Sequence, residues 1–233
     1  MAQTAAELLI AVVCARNDPG IRIWLADVVS RARDGQREAL YIAYTAAARK
    51  AGRTLLQLSP SERVRWERLI EDSVPDGWTC DDALRAVLLL SVAELVGPDE
   101  LCVIAIECYE RGDSREQQSW LKALPLLPDA ERFLSVAIDA CRTNIVPQFE
   151  AIACGTPYPA RYFPEPNFNQ LVLKALFVGV ALERIVGLES RLNPELTRMA
   201  LDYAAERRAA GRSVPADLPL ALTPEAAAEE QLR

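Results

Sequence analysis

Lys174 is the only charged residue between Leu171 and Leu182, a run that is apolar on every side of the helix it predicts. An ammonium inside a buried helix must find a partner, lose its proton or reach water along its own stem. Gln170 precedes it by one turn, and Asn167 and Asn169 lie near the expected helix start. Arg161, Tyr158 and Tyr162 come from the segment just before, where Pro157, Pro159, Pro164 and Pro166 predict a rigid, extended chain. Together these groups would grip an anionic or hydroxylated ligand, helped by the free amides of the helix N-terminus. A desolvated lysine could also form a Schiff base or transfer a proton. The opposing reading pairs Lys174 with Asp202 or Glu206 on the last helix, pinning two helices together. Buried ion pairs organise packing more often than they do chemistry, which favours the strut.

Other polar groups are candidates by type alone. Arg142-Thr143-Asn144 stands just before Pro147, and reads first as a helix end, with Arg142 at the same pocket as the functional alternative. Glu150 follows as a possible carboxylate partner. Asp202 and Glu206 are one turn apart on a helix that also carries Tyr203, Arg207, Arg208 and Arg212, so they could act as an acid/base pair or as a solvated face with internal ion pairs. Cys80-Asp81-Asp82 beside Thr79 reads as charge complementing a helix dipole. The chain has no histidine, which removes histidine-based triads, Cys-His pairs and the usual histidine metal sites. The six cysteines contain no C-x-x-C pair, and there is no P-loop, G-x-G-x-x-G or G-x-S-x-G. The sequence calls for no cofactor and no metal.

The elements that would position these groups are helices with clear punctuation. Thr4 to Glu7 is a capping box, Asn17-Asp18-Pro19-Gly20 a turn, and Ser59-Pro60-Ser61-Glu62 a cap with proline at the first helical position. Val74-Pro75-Asp76-Gly77 predicts the next turn and Thr79 the next cap, opening a helix whose Val87–Leu90 run is buried in character. Gly97-Pro98 separates two helices, Ser114 and Gln117 predict a further capping box, and Asn193-Pro194-Glu195 opens a last long helix that Gly211 stops. Helices are also expected over 129–142 and 147–153. No alternating strand pattern exceeds four residues, so the fold class is all-α. A single irregular multi-helix domain is expected over residues 1–212, α-α superhelix-like, around a buried central helix near 167–185. Residues 213–233 are expected to form a partly ordered Pro/Ala/Glu-rich tail.

With 233 residues, half of them apolar, the chain can bury a substantial core. Its net charge of -7 argues against nucleic acid as a partner. The N-terminal apolar stretch lacks a basic lead-in and is interrupted by Glu7, so it reads as a helix and not a signal peptide. No stretch approaches a membrane span, and cysteines in apolar helical contexts point to a reducing, cytoplasmic compartment.

The residues from Arg142 onward resemble the EboA family of metabolite-traffic proteins: RTNI at 142–145, FEAIACGTPYP at 149–159, YFPE at 162–165, FNQLVLKALFVGV at 168–180, IVGLESRLNPEL at 185–196 and DYAAERRAAGR at 202–212. The resemblance implies an all-helical protein encoded beside a prenyltransferase-like membrane protein, a TatD-like hydrolase, a dehydroquinate-synthase-like enzyme and a sugar-isomerase-like barrel. In cyanobacteria such clusters are linked to export of a sunscreen-pigment precursor. No reaction is established for the family. Position by position, the resemblance marks Arg142, Asn144, Glu150, Pro157, Tyr158, Pro159, Asn169, Gln170, Lys174, Arg191, Asn193, Asp202, Glu206 and Arg212. The chain departs from the family at Ala205 and Arg208, where D-Y-A-H-E-R-W is expected, and at Thr156, where the family has asparagine.

Three functions follow as expectations. The leading one is an accessory protein of a biosynthesis or export cluster for a small polyol- or prenyl-type product, binding a metabolite or a cluster enzyme such as the prenyltransferase-like membrane protein. The second is an enzyme using Lys174 with Asp202, Glu206 or Arg142. The third is a helical adaptor on a membrane enzyme. The balance favours a non-enzymatic role.

Overall fold

The structure is a computed structural model that describes residues 4–73 and 75–230. Val74 of the expected turn, residues 1–3 of the expected N-terminal helix and residues 231–233 of the expected tail lie outside the described residues. In chain order the α-helices are α1 (Ala5–Arg16), α2 (Ile21–Arg33), α3 (Arg37–Ala51), α4 (Pro60–Leu69), α5 (Cys80–Ala93), α6 (Pro98–Arg111) and α7 (Ser114–Ala123), followed by α8 (Leu134–Ala140), α9 (Val146–Ala153), α10 (Tyr158–Tyr162), α11 (Glu165–Val178), α12 (Pro194–Ala209) and α13 (Pro224–Glu230). Short 3-10 turns fall between them, and the described residues contain no strand beyond one isolated bridge, Leu55 to Thr79.

Helix starts follow local chemistry. Thr4 and Ser59 form reciprocal capping boxes with Glu7 and Glu62, each satisfying amides that the first helical turn leaves unpaired. Asn193 accepts from the Leu196 amide at 2.8 Å to open α12. The box expected from Ser114 and Gln117 lies one residue earlier: Asp113 accepts from the Arg115 and Glu116 amides, and Glu116 reaches back to the Asp113 amide. Aspartate competes well with serine at this position.

The central helix is α5, with eleven of its fourteen residues buried. It packs against α1, α3 and α7, and α7 in turn carries α9. Two hydrophobic clusters meet on it. One gathers α1, α4 and the first half of α5, and the other gathers its second half with α3, α6, α7, α9, α11 and α12, joining the helices into one all-α domain. Truncating a side chain at the junction, such as Leu88, costs about 2–5 kcal/mol.

The helix expected to be central is shorter and one-sided. α11 stops at Val178 because Gly179 takes a left-handed conformation (φ 76°) that a side chain would disfavour. Its Phe168, Leu171, Val172 and Ala175 are buried, while Gln170 and Phe177 face outward. The cap is Pro164 and not Asn167. The preceding proline segment is not extended: Pro157 adopts helical angles and α10 follows, since proline's fixed φ also suits the first turn of a helix. In the stretch read as a tail, Asp217 accepts from the Leu182 amide, and Leu218, Ala221 and Leu222 are buried.

Candidate functional site

Lys174 projects from α11 onto the chain that leaves α8. Its Nζ donates to the carbonyl oxygens of Cys141 and Thr143, each at 2.5 Å, and lies 5.0 Å from the centre of the Phe149 ring. Carbonyls that follow the last turn of a helix lack intrahelical partners, and a cation is favoured there. The expected strut to Asp202 or Glu206 is replaced by this contact. Burial lowers the lysine's pKa from its ordinary value, with only Cys141 opposing.

Cavities open on both sides of the ammonium. One of about 420 Å³ is mainly apolar, lined by Val146, Phe149, Leu173, Phe177, Val178 and Tyr203, with Thr143, Asn144 and Lys174 as its polar groups. The other, about 240 Å³, is lined by Arg142, Asn167, Gln170 and Lys174 over Ile138, Cys141, Phe163 and Leu171. Lys174 is therefore shared by an apolar chamber and a smaller polar one. Two of its three donors are used by carbonyls, and no carboxylate pairs with it among the described residues. An apolar cavity with a few convergent polar groups and a perturbed titratable residue is the usual form of a small-molecule site.

The remaining candidates disperse. Asn144 and Gln170 are exposed residues at the two cavities, and Arg142 is an exposed partner of Asp139 at 2.5 Å. Tyr158 is fully buried and donates to the Ala130 carbonyl at 2.7 Å. Asn169 and Asn193 exchange reciprocal amide hydrogen bonds of 3.2 and 3.0 Å, joining α11 to the cap of α12. Glu150 pairs with Arg184 at 2.5 Å and lines neither cavity. Asp202 pairs with Arg198 at 2.7 Å on the exposed face of α12, and Glu206 and Arg212 are also exposed. Arg191 donates to the carbonyls of Ala160 (2.5 Å) and Phe163 (2.8 Å), and stacks 4.7 Å from the Phe168 ring centre. Several polar residues of the resemblance thus close the chain on its own backbone, and Lys174 alone among them also faces a sizeable apolar void.

A charged network inside the core went unread in the sequence. Asp81, Asp82, Arg85, Glu116 and Ser119 are all buried. Arg85 donates to Asp81 (2.8 Å), to Ser119 (3.0 Å) and to the Tyr44 carbonyl (3.0 Å). Asp82 accepts from Lys122 (2.6 Å), Ser119 (2.5 Å) and the Thr79 amide (3.0 Å). Asp81 and Arg85 stand four apart inside an apolar helix, the same signal that singles out Lys174. Because every charge is paired within the network, its role is to tie α5 to α7.

A family model described as "Metabolite traffic protein EboA" matches residues 5–222. No curated protein and no solved structure matches the chain.

Proposed function

Because the chain belongs to the EboA family of metabolite traffic proteins, we propose that it is a cytoplasmic accessory protein of secondary metabolism that holds an anionic, largely apolar metabolite at Lys174. The observation that carries this reading is the ammonium at the junction of the two cavities, with one donor unused and no carboxylate beside it. An acid group of the ligand would take that donor, and its apolar body would cover Phe149, Leu173 and Phe177. Phe177 is 73% exposed, so covering it adds to affinity. The six free thiols fit a reducing compartment. Among the described residues no helix is long and apolar enough to cross a membrane.

The enzymatic alternative has less support, since among the described residues Asp202 pairs with Arg198, Arg142 pairs with Asp139 and no carboxylate pairs with Lys174. The test is ligand capture. Immobilised wild-type protein and Lys174→Gln are incubated with a small-molecule cell extract, and the retained compounds are identified by mass spectrometry. Enrichment of apolar acids by the wild type alone supports the proposal; identical eluates from a folded variant overturn it.

A further inference from the structure

A second surface lies between residues 182–192 and 219–227. It is a groove of about 1090 Å³ with an apolar floor that includes Ile185, Leu188, Leu192 and Leu222, beside the exposed Leu220. Its rim carries Glu67, Asp72, Glu183 and Glu189, all exposed, and among the described residues no lysine or arginine lines it. Among the described residues none of these four carboxylates forms an ion pair, although thirteen such pairs occur elsewhere. We propose that this groove docks an amphipathic helix of a partner protein, one whose apolar stripe is flanked by lysine and arginine.

Physical chemistry narrows the occupant. An apolar trough ringed by four unpaired carboxylates is complementary to a cationic partner with an apolar face. An extended peptide would need backbone partners, and the groove presents no strand edge, whereas a helix satisfies its own backbone. Anionic lipid headgroups would be repelled by the rim. A second copy of this chain carries the same net charge of -7, which opposes self-docking. The surface does not depend on the Lys174 site: the lining residues of the two are distinct.

The probe is a fluorescent helical peptide of leucine and lysine, about 14 residues or four turns long, followed by anisotropy against the full chain. A leucine/glutamate peptide of the same pattern is the charge control. The Glu67→Lys/Glu189→Lys variant should weaken binding of the basic peptide at least about tenfold, and Leu220→Asp should weaken it comparably. The matched Glu94→Lys/Glu110→Lys variant, with the same change of net charge, should alter it less than about twofold, and Lys174→Met should leave it unchanged. Equal losses from both charge reversals would reduce the effect to the overall field and overturn the proposal. So would failure of the wild type to bind the peptide, equal binding of the acidic peptide, or a wild-type dimer that the groove variant dissociates.

Discussion

The ammonium nitrogen of Lys174 lies 2.5 Å from the carbonyl oxygen of Thr143, bridging α11 to the chain that links α8 and α9. Arg191 makes the same kind of contact with the Ala160 and Phe163 carbonyls, and Tyr158 with that of Ala130. Lys174 and Arg191 thus staple carbonyls at helix ends, which lack intrahelical partners. Lys174 differs in keeping one donor toward a cavity.

Lys174→Met should lower unfolding stability by about 2 kcal/mol, because two charge-assisted hydrogen bonds vanish and two carbonyls lose their donor. Urea denaturation checks this. Asp202→Asn, which touches only an exposed pair, should change stability by less than about 0.5 kcal/mol.

Arg85→Met should cost about 3–5 kcal/mol, since it leaves Asp81 buried without its cation and Ser119 without a donor. Adding Asp81→Leu should recover part of the loss by removing the orphaned charge. If the double variant is less stable than Arg85→Met alone, the network does more than balance charge.

Acid should loosen the junction of α5 and α7. Burial alone would raise the pKa of Asp82, but Lys122, Ser119 and the Thr79 amide outweigh it and hold the carboxyl below its ordinary 3.8. A carboxyl depressed on folding contributes stability that is complete above its unfolded pKa and lost as pH falls through the lower folded value. Stability should therefore be level above about pH 5 and drop below about pH 4. Lys122→Met removes the main compensating charge and raises the folded-state pKa of Asp82, so urea titrations should show lower stability near neutral pH and a smaller loss on acidification.

Asn169→Ala and Asn193→Ala should not be additive. Both remove the reciprocal amide pair, and Asn193→Ala also removes the cap of α12. The second should cost about 1 kcal/mol more than the first, and a double-mutant cycle should give a coupling of about 1 kcal/mol.

Much of the architecture was legible in the residues. Capping boxes at Thr4 and Ser59, the Gly97-Pro98 break and the Asn193-Pro194 start are local signals, and each marks a real helix boundary. Lys174 was legible because a charge in an apolar run demands a partner. Its partners were not, because backbone carbonyls at the end of α8 carry no side-chain signature. The Asp81–Arg85 pair escaped because aspartates at a helix start have an ordinary explanation in the helix dipole. The acidic groove escaped because Glu67 and Glu189, far apart in sequence, meet only through tertiary packing.

The most direct test of ligand binding at Lys174 is an NMR titration of protein labelled at the lysine side-chain nitrogens, using carboxylates of increasing apolar size: butyrate, octanoate and 3-phenylpropionate. Binding at the junction of the two cavities predicts shifts of the Lys174 nitrogen and the Asn144 and Phe177 amides that strengthen with apolar size and vanish in Lys174→Met. No shift at Lys174 with any of the series, or shifts that persist in the variant, would contradict it.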